Sequence, residues 1–198
     1  MASTINATTS SGIVATADNT GQLALQAAGT TIATISSTGL TMNSGNIVQA
    51  SGAAPAFSAY SNANQNISTS SYTKLQFQIE EFDTNSNYDN ATNYRFTPTV
   101  AGYYQIYGSA IFNIAPTTLN GALLIYKNGS AFKSVVGFGS NLSGWFNPTI
   151  SSLVYLNGTT DYIEMYIWQS SGSTQTVQSA TSLPYLGTYF QGFLARSA

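Results

Sequence analysis

The residues able to do acid–base chemistry are few: Glu80, Glu81, Asp83 and Asp89 sit close together, and Asp161 and Glu164 form a second group. A pair of carboxylates at the right separation can hydrolyse a glycosidic bond. On a strand, however, Glu80 and Glu81 point to opposite faces, and no hydrolase motif surrounds them. That favours solvated polar positions bordering a sandwich over a catalytic pair, so the chain is not expected to be an enzyme. Oxygen-bearing side chains alternate through Asp83-Thr-Asn85-Ser-Asn87-Tyr-Asp89 in the manner of a calcium loop, but without the Gly and terminal Glu of an EF-hand. The expected cofactor complement is none, with Asp83 and Asp89 as the place where calcium would bind.

What is missing narrows the chemistry further. The chain has no Cys, which removes disulfides, thiolate metal sites and Cys nucleophiles, and no His, the commonest general base. Binding chemistry is better supplied. Phe138-Gly-Ser-Asn141-Leu-Ser-Gly-Trp145-Phe146-Asn-Pro148 reads as a Gly- and Asn-rich loop carrying two large rings. Aromatic rings set among amides grip sugars, the ring covering an apolar sugar face while the amides bond hydroxyls. Asn141, Trp145 and Phe146 are therefore the candidate receptor contacts, against the alternative that the two rings pack at an interface or under the loop.

The elements that must carry these residues divide by composition. Residues 1–54 contain no aromatic residue and a single charge, Asp18, whereas every Phe, Tyr and Trp follows. The expected organisation is an attachment or shaft segment over 1–54 and one globular head over 55–198. In the first, Gly21-Gln-Leu23-Ala-Leu25, Thr31-Ile32-Ala-Thr-Ile35, Gly39-Leu40-Thr-Met42 and Gly45-Asn-Ile-Val48 read as short strands separated by turns. So little apolar surface does not offset an ordering cost of roughly 1–2 kcal/mol per residue, and the segment should not fold alone. Three copies around one axis would cover one another's Leu23, Leu25, Ile32, Ile35 and Leu40, the residues expected to serve attachment. The alternative is a low-complexity linker.

Alternation with period two marks the head as β-rich. Tyr104, Ile106, Gly108, Ala110 and Phe112 share one face, opposite Gln105, Tyr107, Ser109 and Ile111. Ile163, Met165 and Ile167 lie opposite Tyr162, Glu164, Tyr166 and Trp168. Asn128-Gly129 and Asn157-Gly158 are expected to close hairpins. The second faces are themselves aromatic, a surface that a monomer would leave wet.

The order Phe77, Asp83, Tyr88, Phe96, Gly102, Tyr104 resembles the signature of the globular C1q domain, the jelly-roll head of the C1q and tumour necrosis factor superfamily. Ala56-Phe57-Ser58-Ala59, Lys127-Asn128-Gly129 and Phe190 to Leu194 fall in the family's order, so the resemblance spans Pro55 to Ala198. Departures are Ile106 and Gly108 in place of aromatics, and a loosened Leu153-Val-Tyr-Leu156-Asn-Gly158-Thr-Thr-Asp161. The resemblance implies an all-β jelly-roll sandwich of about ten strands, packed as a homotrimer, with calcium sometimes held near the trimer apex. Phe77, Tyr88, Phe96, Tyr103, Tyr104, Tyr107, Tyr166, Trp168, Phe190 and Phe193 are then expected at the trimer interface or in the core.

The Gly-punctuated strands of the first segment are similar to the shafts of bacteriophage fibres. Together the two resemblances imply a phage virion protein, a tail or head fibre, bound to other virion proteins through its N-terminal segment and to a host-surface glycan or protein through its head. A decoration or connector role, and a cellular C1q-like binding module, are the alternatives. Charged residues are only 6% of the chain and the net charge is −2, so no basic patch reads nucleic acid. The start, Met1-Ala-Ser-Thr-Ile-Asn-Ala-Thr, lacks a signal peptide's basic flank and apolar run, and no segment reaches the length of a membrane span. Synthesis in a host cytoplasm and work on a virion, without membrane insertion, are expected. Six Asn-x-Ser/Thr triplets, from Asn6 to Asn157, are what chance gives in a chain so rich in these residues.

Overall fold

The computed structural model describes residues 22–27, 30–37, 39–42, 54–180 and 185–198. The chain divides into two compact units, Met1–Ala50 and Ser51–Ala198. Among the described residues there is no α-helix, and no helix long and apolar enough to cross a membrane.

In the first unit β1 (Leu23–Ala27), β2 (Thr30–Ser36) and β3 (Gly39–Met42) form an antiparallel meander. Leu23 pairs with Ile35 and Ile35 with Leu40, so three apolar side chains form a row across all three strands. All three are exposed, and Leu25 beside them is too. The neighbouring row on the other face is Ala24, Thr34 and Thr41. The sheet thus carries an exposed apolar row on one face, although Ala33 on that same face is buried, and the three described strands supply no second layer of their own. The side chain of Ile32 and the strand expected at Gly45–Val48 lie outside the described residues.

The second unit holds β4 (Ala56–Tyr60), β5 (Gln65–Ile67), β6 (Thr73–Lys74), β7 (Ile79–Asp83), β8 (Tyr88–Asp89) and β9 (Arg95–Phe96). They are followed by β10 (Gly102–Ser109), β11 (Phe112–Lys127), β12 (Ser130–Phe146), β13 (Thr149–Leu156), β14 (Ile163–Gln169), β15 (Gln175–Val177) and β16 (Tyr189–Ser197). One sheet has five strands in the order β13-β10-β16-β4-β7; the other has eight, built on β5-β15-β11-β14-β9-β8 with β12 beside β11 and β6 beside β14. The strand count exceeds the expected ten because β6, β8 and β9 are two-residue pieces along one side of β14 and its neighbour.

The core lies between the sheets, where the period-two faces meet. Tyr104 and Ile106 from β10 and Ile163, Met165 and Ile167 from β14 are fully buried, joined by Phe57, Phe96, Phe112 and Phe190. A Cβ on Gly108 would fall 3.0 Å from the Met165 sulfur and closer still to its methyl, so this glycine leaves room for a side chain from the opposite sheet. The other face of β10 and of the chain just after it is not uniformly wet: Ser109 and Ile111 are buried. The Ser109 hydroxyl donates to the Gly187 carbonyl at 2.8 Å and the Ile111 amide to Thr188 Oγ1 at 3.1 Å, so the chain entering β16 covers them.

Asn128 and Gly129 take φ of 54° and 77° and close the β11–β12 hairpin. Asn157-Gly158 does not close a hairpin. It joins β13 to β14, which belong to different sheets, and the positive φ of Gly158 serves that crossing.

Candidate functional site

Most of the signature residues build the interior of the head. Phe57 stacks on Phe96 with centroids 4.3 Å apart and on Tyr88 at 5.1 Å, and meets Phe190 edge-on at 4.9 Å. The Tyr88 hydroxyl donates to the Phe77 carbonyl at 3.2 Å, and the Tyr104 hydroxyl to the Val100 carbonyl at 2.6 Å. Burial pushes the Tyr104 phenol up to about 12 and raises Tyr88 further, so both stay protonated donors. Phe77, Tyr88, Phe96, Tyr104 and Phe190 are accordingly core.

Tyr103, Tyr107 and Phe193 turn the other way, onto the outer face of the five-stranded sheet. Register places Leu153, Gln105, Phe193 and Ala56 in one row across β13, β10, β16 and β4. The next row is Ser151, Tyr107, Gln191, Ser58 and Phe82. Tyr103 pairs with Tyr155, their ring centroids 5.5 Å apart, and extends the surface towards one end. A hollow of about 170 Å³ opens between Phe82, Tyr107 and Phe193. The exposed rings and Leu153 on this face are suited to excluding water against another surface.

Tyr166 and Trp168 do not share that face. β14 lies in the eight-stranded sheet, so these rings point away from the sandwich on its opposite side, and one flat interface does not take both sets. Here they join two tyrosines that sequence patterning left out. Tyr126 stacks on Tyr166 with centroids 3.8 Å apart and an interplanar angle of 17°. Tyr72 lies 6.5 Å from Tyr126 and 6.3 Å from Trp168. Glu164, expected to be solvated, is buried and ion-paired with Lys74. Arg95 packs its guanidinium 4.3 Å from the Tyr162 ring centroid. Burial, then the nearby phenols, raises the Tyr126 hydroxyl above its ordinary value; burial and Glu164 do the same for Tyr166.

The expected loop around Trp145 is instead strand. β12 runs through it to Phe146, pairing Trp145 with Asn113 and Phe146 with Phe112. Alternation separates the two rings: Trp145 is 57% exposed, while Phe146 packs on the core with its ring 6.2 Å from Phe112. Phe146 is therefore half-buried packing on the core and not displayed beside Trp145 as a second exposed ring. Asn141 lies on the same strand, its side chain outside the described residues.

The carboxylates stay apart from one another in role. Glu81 bulges out of the β4–β7 pairing and accepts from the Ser58 hydroxyl at 2.6 Å. Glu80 is raised by partial burial and then by Asp83. Asp83 accepts from the Tyr88 amide at 2.7 Å and the Asn85 amide at 3.2 Å. Asp89 accepts from the Thr92 amide at 2.8 Å, the Ala91 amide at 3.0 Å and the Asn93 side chain at 2.6 Å. These bonds, that of Thr92 foremost, lower Asp89 to about 2. Both aspartates spend their oxygens on capping turns, which accounts for the alternating pattern without a cation. Among the described residues no group of three or more acids could hold a metal ion.

No protein-family description and no curated protein matches the chain. Solved structures do. Murine APRIL at pH 5.0 superposes with a TM-score of 0.52 at 10% identity, covering 71% of this chain and 98% of that one. Eiger TNF from S. frugiperda superposes with a TM-score of 0.51 at 8% identity, covering 73% of this chain and 93% of that one. At such identities the likeness is one of fold: the chain contains a TNF-like jelly roll.

Proposed function

We propose that the chain is a non-enzymatic fibre protein of a bacteriophage virion, a homotrimer whose N-terminal segment joins other virion proteins and whose jelly-roll head binds a host-surface receptor. The carrying observation is the outer face of the five-stranded sheet, where Tyr103, Leu153, Tyr155, Phe193 and Phe82 are all exposed. A soluble chain rarely leaves so continuous an apolar face uncovered, and a second and third copy cover it without requiring another protein. The uncovered row of Leu23, Ile35 and Leu40 supports the same state for the first unit. Three heads on one axis then engage a cell surface at once, and modest contacts add up to firm attachment. The low charge and the aromatic-free strands ahead of the head support the virion assignment; synthesis would be cytoplasmic.

The test uses full-length protein. Light scattering should return three times the chain mass, and the trimer should bind intact cells of a bacterial host and block phage adsorption. A trimer that binds no cells yet restores stability to depleted particles would replace receptor binding with decoration.

A further inference from the structure

We propose that the head takes an uncharged oligosaccharide on a row of side chains crossing four strands of the eight-stranded sheet, with Trp145 on β12 at one end and Thr176 on β15 and Asn66 on β5 at the other. The inference rests on the receptor-binding reading above and gives it a place and a ligand class. Register builds the row. Trp145 lies opposite Asn113 on β11, Asn113 opposite Thr176, and Thr176 opposite Asn66. Phe112 and Val177, the next residues along two of these strands, are buried, so alternation turns the row onto the outer face. This is the side of the sandwich away from the proposed trimer surface.

Three properties of the row point to the ligand. The first is a ring: Trp145 is exposed, and an indole held on a strand offers a flat apolar surface to the C–H face of a pyranose. The second is a positioned donor. Thr176 Oγ1 donates to Asn66 Oδ1 at 3.1 Å, which fixes the exposed Asn66 amide by its oxygen and leaves its Nδ2 hydrogens for a sugar hydroxyl. The third is the lack of charge. Each of the four positions lies in a stretch without Asp, Glu, Lys or Arg, namely 62–73, 97–126, 134–160 and 170–195. A carboxylate or phosphate meets no countercharge from these stretches and would give up its hydration without return.

Other occupants lack what they need. An extended peptide binds along a bare strand edge, whereas this row crosses strands that are paired to one another. A protein interface takes roughly 800 Å² on each side around an apolar core, and Trp145 is the one large apolar side chain in the row. With neighbouring strands about 4.8 Å apart, Trp145 and Asn66 are separated by about 14 Å, so a ligand that touches both is an oligosaccharide and not a single sugar ring.

The test is titration of the full-length protein with tetrasaccharides of glucose, galactose, mannose and N-acetylglucosamine, with tetragalacturonate as the charged control. Trp145 and Trp168 are the two tryptophans of the chain, so Trp168→Phe leaves Trp145 as the sole indole reporter. A saturable change in its emission is expected with at least one neutral sugar. By calorimetry the affinity should fall at least tenfold in Trp145→Ala and in Asn66→Ala, and stay unchanged in Phe132→Ala. Trp145 and Asn66 are both exposed, and an unchanged thermal midpoint verifies that each variant folds. No emission change with any neutral sugar at millimolar concentration, binding that survives both substitutions, or tighter binding of tetragalacturonate than of the galactose tetramer overturns the assignment. Adsorption competition is scored separately, so a head that blocks adsorption but ignores these sugars sinks the row and spares the receptor-binding reading.

Discussion

The Lys127 ammonium donates to the Tyr155 carbonyl at 2.8 Å and sits 5.8 Å from the centroid of the same tyrosine's ring. Lys127 ends β11 in one sheet and Tyr155 lies on β13, the terminal strand of the other, so the contact bridges the sandwich at its rim. Two residues earlier on that strand, the Leu153 carbonyl accepts from Lys133 at 3.2 Å. An edge strand with bare carbonyls is a template for pairing with another chain, and positive side chains laid across it are a common defence. The two lysines therefore cover the edge while leaving the apolar face beside it open, as the proposed trimer requires.

Replacing both lysines by methionine keeps their stems and removes the caps. Lys127→Met with Lys133→Met should cost about 1 kcal/mol or less of stability, since the Lys127–Asp161 pair is partly solvated and Lys133 bonds only neutral oxygens. Its larger effect should be open-ended association, read as a rise in scattering mass with concentration beyond the trimer. A variant that keeps the wild-type mass at every concentration would show that the edge needs no guard.

The face makes the complementary prediction. Phe193→Asp and Leu153→Asp place charges in one cross-strand row of an exposed surface and leave the core untouched. The double variant should return the mass of one chain in light scattering with an unchanged far-ultraviolet spectrum. A trimer of normal mass would move the interface elsewhere.

Several of these features are legible in the residue pattern, and the exceptions have physical causes. Period two put Tyr104 with Ile106, and Ile163 with Met165 and Ile167, on one face of their strands, and those are the faces that the structure buries. It does not say which sheet a strand joins, and so Tyr107 and Trp168, both outward, end on opposite sides of the sandwich. Tyr72 escaped notice because it precedes a strand of two residues, too short to carry a period. Gly and Asn around Trp145 indicate a loop by local preference, yet long-range pairing with β11 holds them as strand. Gln169, buried with its amide donating to the Ile67 and Ser173 carbonyls at 3.0 and 2.8 Å, organises two loops without any local signal.

Acid should expose the part played by Asp89. Its folded carboxyl titrates at about 2, below the roughly 3.9 of an unfolded aspartate. A depressed folded value means that the charged form is the stabilised one. The contribution is thus complete above about pH 4 and disappears as pH falls towards 2. In urea titrations Asp89→Asn should be less stable than wild type by a constant margin at neutral pH, and the two curves should converge between pH 4 and pH 2. A margin that persists unchanged at pH 2 would assign the loss to packing instead of charge.

Gly158 shows why the loosened segment after β13 keeps its glycine. Its φ is +73°, and a Cβ there would lie 2.6 Å from the Val100 carbonyl carbon and closer still to the Ala101 nitrogen. Both obstacles are backbone, so no side chain can move aside, and the left-handed conformation adds its own penalty for any L residue. The Asn157 side chain meanwhile accepts from the amides of Thr159, Thr160 and Asp161, and Asp161 in turn holds Lys127 at 2.9 Å. Displacing Gly158 therefore disturbs the turn that positions the lysine guarding the β13 edge. Gly158→Ala should cost about 2 kcal/mol or more, whereas Gly172→Ala, with a similar φ of +83° but nothing within 4 Å of its Cβ, should cost only about 1 kcal/mol. Equal losses in the two variants would mean that conformation alone matters and that the close approach of Val100 and Ala101 is relieved at no cost.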